Sequence, residues 1–313
     1  MESEFLGNRG FPSGLRLPAG NLERRGAQWN LALVPAPYSL KTLLPQSIMQ
    51  TRFSNEEIRR FWTDQAVKHP GRPAASWSDT QVIEKEIGEI GSRLNDGDRV
   101  LDVGCANGYS TFNYARQKKI DIRGIDYIPE MISQAKERLV PDDVTLLGSV
   151  EFAVGDALAL SEKSASFDKA ISTRVIINLP KWEMQRVALH ELARVLRPGG
   201  ILLLSEATLQ GWQKLNQFRE EWGLSPIPMP GFNLYLDEEE VIREMASELR
   251  LLELVNFAST YYIGTRLIKP LLIKALNAKV DAADPNSEWN RWFASMPSAG
   301  DYGTQKLFVF ERI

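Results

Sequence analysis

The sequence predicts an α/β fold, a parallel sheet with helices on both faces. Three observations carry this prediction. Short apolar runs alternate five times with helical patterns, the arrangement that links parallel strands. Between the first strand and its helix stands VLDVGCANGYS, residues 100–110, where Gly104 and Gly108 let the backbone turn sharply. The second strand, in IDIRGID, ends on Asp126, about 20 residues past the first glycine, and Pro129 follows where a helix can start.

Residues 1–52 read as an N-terminal extension, rich in Gly and Pro with no sustained period, and Met49 is a possible alternative start. Ser54 then caps a helix in SNEEIRRFWTDQAVK, with Glu56 and Glu57 favoured by the helix dipole. The loop HPGRPAASW carries His69, Arg72 and Trp77 and leads to a second helix near Asp79, so 53–78 reads as a cap on the core. The core strands follow: the glycine-turn strand, the Asp126 strand, VEFAVGDALAL with its break at Gly155-Asp156, SFDKAIST, and GGILLLSE after the helix WEMQRVALHELARVL. A sixth strand lies in LRLLELVNF and a seventh in QKLFVFER. Two long insertions, 207–236 and 258–301, enlarge the core, the first with a helix ending at Gly223 and the second with Tyr261, Tyr262, Arg266, Trp289 and Trp292. Connections of that length are commonly lids.

The glycine turn suits a nucleotide-like cofactor, because the helix after it presents unpaired N–H groups and an acid 20 residues on accepts from ribose hydroxyls. A dehydrogenase fingerprint starting at Gly104 requires glycine at 106 and 109. The chain has Ala106 and Tyr109, which argues against a dinucleotide and for an amino-acid-like tail held by backbone N–H groups and Asp102.

Taken in order, Asp102–Gly104–Gly108, Asp126, Gly155-Asp156, Phe167-Asp168 and Arg197-Pro198-Gly199-Gly200 resemble the motif set of class I S-adenosylmethionine-dependent methyltransferases, over roughly 79–312. The resemblance implies a Rossmann-like sheet of seven strands, mostly parallel with an antiparallel last strand, helices on both faces and helical lids. It implies S-adenosyl-L-methionine as cofactor: the turn with Asp102, Gly104, Cys105, Ala106 and Gly108 against the methionine part, Asp126 on the ribose, Tyr127 and Met131 flanking the adenine, and Asp156 with Ala157 at its amino group. Thr173 joins this set at the end of the fourth strand. The family more often has glycine where Ala106 stands. STRVIINLPKWEMQ, FNLYLDEEE and YGTQKLFVFER are similar to small-molecule, type 11-like members.

Ligands on such sheets bind beyond the carboxyl ends of the strands. That rule selects Thr173, Arg174 and Asn178 after strand four and Ser205, Glu206 and Gln210 after strand five, and it excludes His190 on an outer helix. Glu206 is the leading candidate for a catalytic base, Arg174 for an orienting cation, and His69 is the rival base, with the structural ion pair or helix cap as the plain alternative for Glu206 and Arg174. The expected reaction is methyl transfer to a small-molecule acceptor, an O-methylation of a sugar or secondary metabolite; a small-amine N-methyltransferase and a silent cofactor-binding scaffold are the alternatives. A net charge of −3, 43% hydrophobic and 25% charged residues describe an ordinary globular chain with no basic field for nucleic acid. One cysteine and two distant histidines offer no metal set, and no apolar run is long enough for a bilayer. With no secretory pattern, the expectation is a cytoplasmic protein without membrane or nucleic-acid partners.

Overall fold

The computed structural model describes residues 51, 53–139 and 145–313. Apart from Thr51, the expected extension over 1–52 and the start at Met49 lie outside them. The seven strands β1 (Arg99–Val103), β2 (Asp121–Asp126), β3 (Ser149–Val154), β4 (Phe167–Thr173), β5 (Leu196–Ala207), β6 (Leu249–Val255) and β7 (Gln305–Arg312) form one sheet in the order β3-β2-β1-β4-β5-β7-β6. Every pair from β3 across to β5 is parallel, and β7 lies antiparallel between β5 and β6. This is the seven-stranded Rossmann-like arrangement expected, with the antiparallel strand where the sequence places it.

The strands read as continuous apolar runs because both faces are buried. In β5, Leu202 and Leu204 pack on one face and Leu203 on the other; in β7, Phe308 and Phe310 share the first face while Leu307 and Val309 take the second. The first face is covered by α5 (Trp182–Val195) and α7 (Glu238–Met245), through Ala188, Leu192, Val241 and Met245. The second is covered by α2 (Thr80–Gly91) and α3 (Tyr109–Gln117), joined by α8 (Ser259–Ile263) and α10 (Glu288–Ala294), through Val82, Ile87, Tyr114, Tyr261 and Phe293.

α1 (Asn55–Lys68) begins at the expected cap. The Ser54 hydroxyl accepts from the Glu57 N–H at 3.2 Å while the Glu57 carboxylate accepts from the Ser54 N–H at 2.8 Å, a reciprocal box that fixes the start of the helix. Ala66 and Trp62 of this helix pack with Ile128 and Met131 at the start of α4 (Pro129–Glu137). The loop after α1 is tied down as well: Gln134 accepts from the Gly71 N–H at 3.0 Å, and the Asn107 amide donates to the Arg72 carbonyl at 2.8 Å. The cap is thereby anchored to the glycine turn itself.

The inserted helix α6 (Leu209–Glu221) stops just before Gly223, whose φ of +67° supplies the left-handed residue that ends helices cheaply. After α8 the chain makes a wide turn of π type, Gly264–Ile268, before α9 (Lys269–Leu276). Pro270, at the start of α9, lacks the N–H that an α-helix returns to the Arg266 carbonyl, a local break that this turn accommodates.

Candidate active site

The chain leaves β1 for β2 on one side and later returns to β4 on the other, so strand order reverses at β1. A crevice opens at such a reversal, beyond the carboxyl ends of the strands. The open cleft here spans about 860 Å³, part of it solvent space, and is lined by eight of the residues expected around the cofactor: Gly104, Ala106, Asp126, Tyr127, Met131, Asp156, Ala157 and Thr173. Asp126, 8% exposed, accepts from the Ala106 N–H and from the Ile128 N–H, each at 2.9 Å, through different oxygens. A carboxylate offers about four acceptor positions. Two therefore remain for a vicinal diol. Burial pushes this carboxyl up to about 6, against the pull of the N–H donors. Beside it Ile128, Met131, Ala157, Leu158 and Leu179 form an apolar slot, with the exposed Asp156 at its rim accepting from the Leu158 N–H at 2.9 Å. A diol acceptor, a flat apolar slot and an acid at its rim fit a nucleoside.

Trp62 and Asn55 of α1 also line the cleft and were not among the sequence candidates. The helical period shows that α1 has an apolar face but not what that face covers.

Three residues of the glycine turn take other parts than expected. Gly104, Ala106 and Gly108 all adopt positive φ, +77°, +49° and +72°. The expectation that Gly108 clears space for a ligand is corrected: a Cβ there would stand 2.5 Å from Phe152 Cζ and 3.0 Å from Ala135 Cβ, so this glycine lets the start of α3 pack against β3 and α4. Cys105 is 6% exposed among Ile132, Ala135 and Phe152, and burial pushes its thiol well up, so it is a packing residue. Asp102 faces an adjoining recess of about 360 Å³ rather than the cleft; it accepts from the Thr111 hydroxyl at 2.6 Å, and burial raises it to about 6. The turn's expected backbone donors are largely spent within the protein. The Gly104 and Cys105 N–H groups go to the Ile125 carbonyl, that of Ala106 to Asp126 and that of Gly108 to the Cys105 carbonyl.

A second, open cavity spanning about 970 Å³, part of it solvent space, adjoins the cleft, and the two share Trp62, Ser76, Arg174 and Asn178. Its walls come from the cap and from both insertions: Trp77, then Ile227 and Phe232, then Tyr262 and Arg266.

Sequence comparison agrees with this geometry. Residues 94–250 match the family model described as a methyltransferase domain, which is half of the chain. The chain belongs to the class I methyltransferases. The O-methyltransferase rstn1 of Aspergillus nomiae is 31% identical over 172 residues, 54% of this chain and 72% of that protein. The 2-methyl-6-phytyl-1,4-hydroquinone methyltransferase of Synechocystis is 35% identical over 139 residues, 41% of each chain. Among solved structures, a magnesium protoporphyrin IX methyltransferase from Synechocystis with bound SAH aligns with a TM-score of 0.52 at 14% identity, covering 83% of this chain and all of that one. That likeness shows the shared fold.

The methyltransferase holds two of its three catalytic candidates, Glu206 and His69, outside the lining of both cavities. Glu206 is fully buried and lines neither cavity. Its carboxylate instead accepts from the N–H groups of Val175 and Ile176 at 2.9 Å and of Ile177 at 3.4 Å, capping the short 3₁₀ turn Ile176–Asn178 after β4. Burial pushes this carboxyl up to about 8. The expectation of Glu206 as a base facing the acceptor is therefore corrected to a structural cap. Strand alternation carried the signal, for Glu206 shares the face of Leu202 and Leu204. His69 ends α1, seven residues past Trp62, about 10 Å along the helix axis, and is not in the lining of either cavity. The reading of His69 as a rival base is corrected on that ground.

Arg174 is where it was expected, lining both cavities, but its partner differs: it pairs with Glu86 of α2, not with Glu206. Its backbone is left-handed at φ +56°, a conformation an arginine adopts only when held. The holding contacts are the Arg174 N–H to the Ser205 carbonyl at 2.9 Å, the Asn178 amide to the Arg174 carbonyl at 2.5 Å, and the guanidinium over the Trp77 ring at 5.3 Å. His190 lies on the outer helix α5 as expected, bridging Glu244 at 2.9 Å and Glu248 at 2.5 Å. Among the described residues no cluster of metal-ligating side chains is present, and no helix is long and apolar enough to cross a membrane.

Proposed function

We propose that this methyltransferase binds S-adenosyl-L-methionine in the cleft and transfers its methyl group to an oxygen of a small-molecule acceptor held in the second cavity. The observation that carries this reading is the continuity of the two spaces: a nucleoside-shaped cleft opens into an acceptor-sized cavity through Trp62, Ser76, Arg174 and Asn178. In this reading Asp126 accepts from the ribose hydroxyls and Asp156 from the adenine amino group. Tyr127 and Met131 flank the adenine, Ala106 and Gly104 border the amino-acid tail, and Thr173 stands near the transferred group.

Bound there, the cofactor supplies an activated methyl group on a sulfonium whose departure needs no general acid. The protein's part is alignment and exclusion of water. Arg174 and Asn178, fixed to each other by the Asn178 amide, border both spaces and set the line along which acceptor and methyl group meet. Trp62 of the cap stands at the junction of the two spaces. An acceptor with an apolar body, as in many secondary metabolites, is supported over a sugar by the walls Ile177, Leu215, Ile227, Phe232 and Tyr262. The name of the Aspergillus nomiae relative supports oxygen as the atom methylated.

The test is calorimetry of the purified protein with S-adenosylmethionine and S-adenosylhomocysteine, followed by radiolabelled methyl transfer to a library of phenols, carboxylic acids and polyketide-like alcohols. Saturable binding of both and label in an extractable ether or ester is expected. A folded protein that binds neither sinks the cofactor assignment.

A further inference from the structure

The second cavity contains titratable groups of an unusual selection. Four of its lining residues carry one: Arg174, Arg266, Tyr235 and Tyr262. No carboxylate and no imidazole lines it, and with Glu206 and His69 displaced, neither of the expected bases reaches an acceptor there. The cleft's own acids, Asp126 and Asp156, stand after β2 and β3, whereas the cavity lies on the far side of the strand reversal, beyond β4 and β5.

Both arginines are held with their counter-charges behind them. Arg266 Nη2 reaches Asp79 at 2.6 Å and Nη1 reaches the Thr265 hydroxyl at 2.6 Å, and its guanidinium lies 4.6 Å from the Tyr262 ring centre. Arg174 pairs with Glu86, which also accepts from the Ser205 hydroxyl at 2.5 Å. Asp79 and Glu86 are 2% and 1% exposed and do not line the cavity, while Arg174 and Arg266 do. Each guanidinium has five N–H donors, and the protein uses only some of them. The π-type turn Gly264–Ile268 is what brings Arg266 to this wall. The two tyrosines complete the polar end; burial pushes the Tyr235 hydroxyl up to about 12 and Tyr262 higher still, which makes them donors at neutral pH and not bases.

We infer that the acceptor is an apolar-bodied molecule whose methylated oxygen arrives already ionised, a carboxylate or an acidic phenol or enol, recognised by Arg174 and Arg266. This inference rests on the methyltransferase reading of the preceding subsection. The balance follows: the oxyanion forms a C–O bond to the methyl carbon, the C–S bond breaks, and its electron pair returns to the sulfonium sulfur. One anion and one cation give two neutral products. No proton is transferred, so no base is required. A neutral alcohol lacks a group to take its proton in this cavity, and an ammonium finds no carboxylate among the lining residues.

The experiment compares two probes of the same apolar body, 2-naphthoate and 2-naphthylmethanol, by calorimetry on the wild-type protein saturated with S-adenosylhomocysteine at pH 7.5. The anion is expected to bind at least about tenfold more tightly, the worth of a charge-assisted hydrogen-bond pair. In Arg266→Gln that preference is expected to collapse, and in Arg266→Lys to persist in part. Equal affinities, a preference for the alcohol, or no binding of either probe at 1 mM overturns the inference. The wild-type comparison stands even if Arg266→Gln, which leaves Asp79 unpaired, fails to fold. Binding of S-adenosylhomocysteine, measured first, separates the two readings: its absence defeats the methyltransferase assignment, while its presence with equal probe affinities defeats only the anionic acceptor.

Discussion

At the scale of single residues, two acids at strand ends have opposite fates. Asp126 keeps free acceptor positions in the cleft, whereas Glu206 spends its carboxylate on three backbone N–H groups. Asp126→Ala is expected to weaken S-adenosylmethionine at least about tenfold, since hydrogen bonds to a charged acceptor contribute roughly 1.5–3 kcal/mol. Wild-type affinity should also decline as pH falls through about 6, where the Asp126 carboxyl takes up a proton and loses acceptor capacity. Calorimetry between pH 5 and 8 checks both; an unchanged Kd in the variant would remove Asp126 from the ribose. Glu206→Ala strands three N–H groups in a buried place, so a loss of about 2–4 kcal/mol of stability is expected, with Glu206→Gln costing less because its carbonyl still accepts. Urea titration reads this. A Glu206→Gln protein that keeps its fold and its methyl transfer supports the cap over the base.

At the scale of elements, the strands, the capping box of α1 and the break after α6 were legible because each is a local pattern with a local cause. The glycine turn was legible as a turn but not in its parts. Sequence shows that Gly108 must bend; it does not show that Phe152 and Ala135 fill the space where a side chain would go. The π-type turn that places Arg266 was legible only as an interruption: Gly264 and Pro270 punctuate the run from Ser259 to Leu276, and Pro270 lacks the N–H an α-helix returns to the Arg266 carbonyl, but the form of the turn depends on tertiary packing, with Gly264 closely opposed to the Phe293 ring. Gly108→Val combines a left-handed backbone with overlap of Phe152, and strain of this kind costs about 1–3 kcal/mol from each source. Its melting temperature should drop by several degrees or more, with cofactor binding lost as a consequence of loosening around α3. If the variant melts with wild type yet fails to bind cofactor, the glycine faces the ligand after all.

At the scale of the whole molecule, the perturbed groups combine into a pH dependence of stability. Asp102 and Asp126 are raised to about 6 and Glu206 to about 8, in each case chiefly by burial. A carboxyl whose value is higher in the fold than in the open chain takes up a proton on folding, so these three groups favour the fold least at high pH. Their contribution falls as pH rises from about 4 through 6 for the aspartates and on to 8 for Glu206. His190 acts in the same direction. Glu244 and Glu248 raise it against the opposing effect of burial, and the stability it contributes is present below its unfolded value and lost as pH climbs through its folded one. Opposing these, Asp301 is held at about 2 by Lys306, Asn256 and Lys214 despite its burial, and its contribution is lost only as pH falls toward 2. The sum places maximal stability near pH 4, above the range where Asp301 is lost and below the range where the buried carboxyls ionise, with a decline from there toward pH 8. Thermal unfolding from pH 4 to 9 measures it, and His190→Gln should flatten part of the decline above pH 6 while Glu206→Gln flattens the part toward pH 8. A melting temperature that climbs steadily from pH 5 to 8 in the wild type would show that these buried carboxyls ionise freely, and the cap at Glu206 would then be a full carboxylate across the working range.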